Sequence, residues 1–332
     1  MDKLLTLAIP AYNMEKYLGR CLESVLLPEI SDAVEILLIN DGSKDGTLKI
    51  AREYEKKYDR VLRVIDKPNG GWGSAINCAV GEAKGKYFKI LDSDDWFESD
   101  SFIQYIELLN KIDSDVIVTA HKYVFIEGGE RCVEYNITQC NQVLDFDCYI
   151  RSHNYLHGLN LSNTTFKTKL LTADIAERYY ADIEYVMKPL ARVGTIYFSN
   201  INLYRYYIGR DGQSTSIVGY SSHLDDFMAM LTKLVSYYES IKQSVSDSIR
   251  IMYEIDYSRL VSFGYYLHLS PVYHGGDGEK ICKLKSFDAN LKKKSPVLYN
   301  ISAKNKKFKG LVPYIKIWRL TGINILKIRS WI

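Results

Sequence analysis

Within the first 120 residues, five short apolar runs alternate with four segments of helical spacing, and few folds accommodate that alternation. Segments 4–9, 35–40, 61–65, 87–91 and 115–119 read as strands, while 15–27, 45–57, 73–83 and 99–111 place apolar residues at a 3.6-residue period. Strands that are apolar throughout are buried on both faces. A βαβ series of such strands predicts an α/β fold: a Rossmann-like, mostly parallel central sheet with helices on both faces. Such sheets bind ligands beyond the carboxyl ends of their strands, so functional residues are expected just after each apolar run.

Later segments are more mixed. Segments 122–126 and 195–198 read as strands and 170–180 as a helix, so residues 120–215 are expected to extend the sheet and build an acceptor side. Tyr-rich helical patterns at 224–238 and 247–267 predict a C-terminal helical extension over 216–294, and the Lys-Lys-Lys-Ser-Pro run at 292–296 predicts a break before a tail at 295–332. The overall charge of +3 conceals an asymmetry, because residues 289–332 hold eleven Lys and Arg and no acid, leaving −8 on residues 1–288. Leu311, Tyr314, Ile315 and Trp318, then Ile325, Ile328 and Ile332, fall on one helical face beside Lys316, Arg319, Lys327 and Arg329. That interleaving fits an anionic membrane surface, or packing on the chain's own catalytic domain, and no nucleic-acid partner is expected. Absence of a leader-like start or a long apolar span predicts a cytoplasmic protein, soluble or peripheral at the inner face of the membrane. Six irregularly spaced cysteines give no zinc or disulfide pattern. His153 and His157 lack a third ligand and are assigned no metal. Self-association into a homo-oligomer is left open.

Four post-strand segments carry chemistry: Pro10-Ala11-Tyr12-Asn13 with Glu15, Asn40-Asp41-Gly42-Ser43, Asn69-Gly70-Gly71-Trp72-Gly73-Ser74 through Asn77, and Asp92-Ser93-Asp94-Asp95. Three carboxylates in four residues repel one another unless a cation neutralises them, and a hard divalent ion, Mn²⁺ or Mg²⁺, is the natural partner. The alternative is an acidic cap on helix 99–111, a role Asp100 fills without Asp92. The glycine cluster opens a helix whose amides suit a diphosphate. Trp72 and Trp96 flank the acidic turn as stacking or packing residues.

In this order and spacing the four motifs resemble the family 2 glycosyltransferases with the GT-A fold, over about residues 3–215. The resemblance implies a nucleotide-sugar-binding half at 1–120, an acceptor-side half at 120–215 and an inverting transfer to a glycan, glycolipid or glycoprotein hydroxyl, with UDP-sugar favoured as donor. It places Pro10, Ala11, Tyr12 and Glu15 at the nucleobase and ribose, Asp41 on the base imide, and Asn69, Gly71 and Ser74 beside ribose and diphosphate. Asp92 falls near the ribose and the metal, and Asp94 on the metal itself. In Tyr180-Ala181-Asp182-Ile183-Glu184-Tyr185 it implies Asp182 as the base, with Glu184 as the alternative because Ala181 stands where the family commonly has Glu. Tyr204 to Ser214 resembles a loop that closes over donor phosphates, with Arg205 or Arg210 meeting their charge. A hexosyltransferase serving a bacterial surface polysaccharide or protein-linked glycan follows from the likeness. The competing classes are a non-catalytic carbohydrate-binding or scaffold protein on the same fold and a nucleotidyltransferase. The first needs neither metal clamp nor base, and the second usually carries a glycine- and basic-rich triphosphate loop that Pro10-Ala11-Tyr12-Asn13 is not.

Overall fold

The computed structural model describes residues 3–133, 140–153, 158–175, 179–210, 221–270, 278–304 and 312–324. The chain divides into two compact units, Met1–Cys148 with Gly158–Arg210, and Tyr149–His157 with Asp211–Ile332.

The first unit is built on one sheet. Its strands are β1 (Leu5–Ala11), β2 (Val34–Asp41), β3 (Leu62–Lys67), β4 (Tyr87–Ile90), β5 (Trp96–Phe97), β6 (Val116–Phe125), β7 (Glu130–Val133), β8 (Val143–Asp145), β9 (Thr164–Lys167) and β10 (Thr195–Ile208), in the order β3-β2-β1-β4-β9-β6-β10-β5, with β7 beside β6 and β8 beside β10. β1 to β4, β6 and β10 run the same way, and short β9 reverses between β4 and β6. Every residue of β1, β2 and β4 is buried, as an apolar strand sandwiched between helices must be.

Helices α1 (Leu18–Glu23), α2 (Thr47–Lys57) and α4 (Ser99–Lys111) cover one face, where Leu18, Cys21, Leu22, Ala51, Phe102, Tyr105 and Leu109 join Leu5, Leu7, Ile9, Ile36 and Leu38 in one core. On the other face lie α3 (Trp72–Glu82), which buries Ala75, Ile76 and Ala79, and α6 (Ala181–Met187), whose Tyr185 ring meets Phe88 and Phe166. Between them in sequence, α5 spans Phe146–His153.

Two expected helices differ. The segment 15–27 shrinks to Leu18–Glu23, and the turn before it is tied to the loop beyond β2 through the amides of Asn13, Met14 and Glu15. The helix expected at 170–180 starts instead at Ala181. Asn77 pins the preceding chain by reciprocal bonds, its Nδ2 donating to Ile175 O (3.0 Å) and its Oδ1 accepting from Ile175 N (3.1 Å). The strand expected at 122–126 is the outer half of β6.

In the second unit, α7 (Leu224–Ile241), α8 (Asp247–Leu269), α9 (Gly278–Lys294), α10 (Pro296–Ser302) and α11 (Val312–Thr321) supply the helices. Ser246 caps α8 by accepting from Ile249 N, and Ser295 separates α9 from α10. Ile315 and Trp318 of α11 are buried, and Arg319 bonds to Asp288 Oδ1 (2.8 Å), Tyr299 O (2.8 Å) and Tyr265 Oη (2.8 Å). The part of the apolar face anticipated for a membrane surface that Ile315 and Trp318 form is therefore packed within its own unit. Leu311, Ile325, Lys327, Ile328, Arg329 and Ile332 lie outside the described residues. Among the described residues no helix is long and apolar enough to cross a membrane.

Candidate active site

All four motifs follow the carboxyl ends of β1 to β4. Ala11 and Asn40 are register partners, so the turns after β1 and β2 emerge side by side. Five bonds clasp them: Asn13 N to Ser43 Oγ (3.0 Å), Lys44 N to Asn13 Oδ1 (2.8 Å), Met14 N to Thr47 Oγ1 (2.7 Å), Glu15 N to Asp45 Oδ2 (3.2 Å) and Gly46 N to Glu15 Oε2 (2.7 Å). Asn13 takes the left-handed conformation (φ 55°) that asparagine tolerates. Glu15 thus anchors the start of α2 from an exposed position, Pro10 and Ala11 are buried, and Tyr12 presents an exposed ring.

Asp41 organises the glycine loop. Its Oδ1 accepts from Lys67 Nζ (2.6 Å) and Gly70 N (2.9 Å), and its Oδ2 from Gly71 N (2.8 Å). Asn69 Nδ2 donates to the Asp41 carbonyl (3.0 Å). One lone pair of Oδ2 is left for a ligand. A Cβ on Gly70 would sit 2.6 Å from Ser74 Oγ, and Gly71 caps α3 at φ 89°, so the loop requires glycine at both positions.

The acidic turn after β4 resolves into three unlike carboxylates. Asp95 is structural: Tyr204 Oη donates to its Oδ2 (2.6 Å) and Tyr207 N to its Oδ1 (2.8 Å). Asp92 Oδ1 accepts from Trp72 Nε1 (2.9 Å), and its backbone N donates to Tyr204 Oη (3.2 Å). Asp94 is paired with Arg210 Nε. The turn's backbone is fixed from two further sides, by Ser93 Oγ donating to Pro10 O (2.7 Å) and Arg20 Nη2 donating to Asp94 O (2.8 Å). Arg20 in turn lies over Trp96, 3.7 Å from the ring centre, and 4.7 Å from that of Tyr207, so one face of Trp96 is covered. Desolvation first, then the charge of Asp94, push the Asp92 carboxyl up to about 7, while the Trp72 bond acts the other way.

Asp182, in the first turn of α6, lies close enough to Asp92 and Tyr206 for its charge to raise both of their pKa values. It is exposed, yet desolvation pushes its own carboxyl above the usual range. Glu184 is placed elsewhere: it is fully buried and paired with Lys188 Nζ at 2.8 Å. Arg205 is buried too, its Nη1 donating to Asn202 O (2.8 Å) and Oδ1 (3.0 Å), and its charge is felt at Glu98 and Glu130. Of the expected loop, Asp211 to Ser214 lie outside the described residues, as does His157. His153 meets Tyr149 O at 2.9 Å.

Lys67 and Arg20 belong to the site without having shown a motif, because their carboxylate or carbonyl partners lie 26 and 74 positions away, while Tyr204, first residue of the segment likened to a donor-closing loop, bonds Asp95 from 109 positions away. Among the described residues, no group of three or more His, Cys, Asp or Glu is arranged to hold a metal. What is present is a pair, Asp92 and Asp94, of hard oxygen donors.

Comparison with known proteins places the fold and the family. An uncharacterised glycosyltransferase of Rickettsia prowazekii is 32% identical over 202 residues, which is 59% of this chain and 61% of that one. The crystal structure of residues 1–349 of Staphylococcus aureus TarS matches with a TM-score of 0.63 at 16% identity, covering 96% of this chain and 87% of that one. Its complex with UDP-GlcNAc matches at 0.55 and 16% identity, over 94% and 91%. The mannosyltransferase PcManGT from Pyrobaculum calidifontis, in complex with GDP-Man and Mn²⁺, matches at 0.50 and 13% identity, over 97% and 88%. At these identities the structural likeness carries the fold, which is the GT-A fold. The sequence model described as glycosyl transferase family 2 matches residues 6–186, more than half of the chain, and the chain belongs to that family.

Proposed function

We propose that this glycosyltransferase is an inverting enzyme that transfers a hexosyl group from a nucleotide-sugar, a UDP-sugar first, to a hydroxyl of a glycan, glycolipid or glycoprotein acceptor in bacterial surface polysaccharide or protein-glycan synthesis. One observation carries the reading: the charge of Asp182 reaches Asp92 in the acidic turn, which follows β4 beside the clasped turns after β1 and β2 and the glycine loop after β3.

In this reading Tyr12, with Pro10, Ala11 and Glu15, borders the base and ribose, and Asp41 offers its remaining lone pair to the base imide. Asn69, Gly71 and Ser74 line the ribose and diphosphate at the start of α3, where backbone amides favour an anion. Asp182 takes the proton of the acceptor hydroxyl as that oxygen forms its bond to the anomeric carbon. The bond from that carbon to the diphosphate breaks, and its electron pair leaves on the diphosphate oxygen. A single in-line displacement inverts the anomeric configuration. The raised pKa of Asp182 suits a base, since proton acceptance improves as its pKa approaches the working pH. Arg210 faces the growing charge of the leaving group. Asp94 and the oxygen of Asp92 not bonded to Trp72 fit Mn²⁺ or Mg²⁺, which when bound supplies further neutralisation of the diphosphate. Arg205, held by Asn202, is not assigned to the phosphates.

The test is Asp182→Asn. Turnover is expected to fall about 10² to 10⁴-fold, the usual worth of a general base, with nucleotide-sugar affinity kept within about threefold. Near-normal turnover by that variant removes Asp182 from the mechanism.

A further inference from the structure

Asp94 is asked to serve two cations. The structure pairs its carboxylate with Arg210, yet the donor reading gives the same carboxylate to a divalent ion. The side chains of both partners are largely buried, at 19% exposed for Arg210 and 9% for Asp94. The carboxylate has little freedom to serve both from different positions, because the bonds from Arg20 to its own carbonyl and from Ser93 to Pro10 fix the backbone beneath it. Arg210 is also held by the acidic turn as a whole, since Asp92 and Asp95 act on it beside Asp94. It stands one residue beyond Gly209 (φ 103°) and two beyond the end of β10 at Ile208, outside the strand itself.

We propose that Arg210 is a built-in counter-ion that keeps Asp94 from a divalent cation until a nucleoside diphosphate arrives, so that metal and donor bind as a coupled pair. The proposal rests on the donor reading above. A diphosphate offers a guanidinium more negative charge than one carboxylate, and two oxygens in the spacing its fork prefers. Drawing Arg210 onto the diphosphate releases the Asp94 oxygen to the metal, and the metal in turn binds the diphosphate. Without donor, the acidic turn remains neutralised by the chain's own cation, which answers the repulsion among Asp92, Asp94 and Asp95 without an ion from solution.

The experiment measures Mn²⁺ binding by electron paramagnetic resonance of the free ion, with full-length wild type, Arg210→Ala, Arg210→Gln and Asp94→Asn, first without nucleotide and then with UDP. Without nucleotide, both Arg210 variants are expected to bind Mn²⁺ about tenfold or more tightly than wild type, within the 5- to 150-fold span usual for coupled sites. Asp94→Asn abolishes that gain, and UDP raises the wild-type affinity by a comparable factor. Two arginine variants guard against one that folds poorly. Equal Mn²⁺ affinity of wild type and both Arg210 variants without nucleotide overturns the proposal, and so does absence of Mn²⁺ binding to all of them. Failure of UDP to bind wild type at any Mn²⁺ concentration overturns the donor reading instead, while the nucleotide-free comparison still judges the role of Arg210.

Discussion

Replacing Tyr204 by Phe removes a single buried oxygen at the point where the acidic turn is tied to the sheet. Tyr204 is fully buried, and its hydroxyl both donates to Asp95 Oδ2 (2.6 Å) and accepts from Asp92 N (3.2 Å). Phenylalanine keeps the ring and its edge contact with Phe97 at 5.7 Å, so packing is preserved and polar satisfaction alone is lost. Asp95, only 1% exposed, is left with the Tyr207 amide as its donor, and the Asp92 amide loses this acceptor. A buried hydrogen bond is worth about 1 kcal/mol net and a buried polar group left without its partner costs about 1–3 kcal/mol, so the combined loss is about 3 kcal/mol. At 1.36 kcal/mol per decade, that is roughly a hundredfold faster amide exchange at Asp92 and Tyr207 wherever these amides exchange by local opening. Hydrogen exchange read by mass spectrometry or NMR, together with urea denaturation of the same protein, measures both. Unchanged protection and a stability loss under about 0.5 kcal/mol would refute the assignment of Asp95 as the structural member of the acidic turn.

Glu184→Gln breaks a buried pair with Lys188 and is expected to lower stability by about 3 kcal/mol, while turnover per folded molecule stays within about twofold; a turnover collapse matching that of Asp182→Asn would make Glu184 the base after all. Arg20→Ala removes the bond to the Asp94 carbonyl and the cation over Trp96, and donor affinity measured with metal should weaken about fivefold at a stability cost near 1 kcal/mol. Lys89 is fully buried, donates to Ser162 O at 3.0 Å, and its ammonium is pushed down to about 7 by desolvation. Its folded pKa lies below its unfolded value, so the unfolded chain binds more protons between about pH 7 and 10.5 and stability rises with pH across that window. Relative to Lys89→Met, wild type should therefore gain about 2 kcal/mol between pH 8 and 10 in urea denaturation, and parallel pH profiles for the two proteins would show that the amine is not buried as a neutral group.

The first half of the sheet was legible because β1, β2 and β4 are buried from end to end, and a buried parallel strand must be written in apolar residues. Strand β9 was not. Thr164 and Thr165 are fully buried, but the Thr164 hydroxyl donates to Asn160 O (2.7 Å) and that of Thr165 accepts from Tyr105 Oη (2.7 Å), a partner 60 positions away that no local pattern reveals. The misplaced helix at 170–180 has the same origin, since its start was decided by Asn77 gripping Ile175, 98 positions away. Within the site, Asp41, Asp92 and Asp94 fall in post-strand motifs, whereas Asp182 is singled out only through the family resemblance. In sequence the acidic turn is three like charges in four residues that call for neutralisation. Folding instead gives each acid its own donor: Trp72 for Asp92, Arg210 for Asp94, and Tyr204 with the Tyr207 amide for Asp95. Charge repulsion visible in sequence can be answered by donors that are distant in sequence, and only the fold says which.

The turns after β1 to β4 are proposed to bind a nucleotide-sugar and support its cleavage. A panel of nucleotide-sugars with Mn²⁺, read by melting temperature and by release of nucleoside diphosphate, tests that proposal most directly. The account predicts that at least one member, a UDP-sugar first, raises the melting temperature and is hydrolysed by wild type, with release slowed about a hundredfold or more in Asp182→Asn. A panel in which no nucleotide-sugar stabilises the protein or is turned over would contradict it.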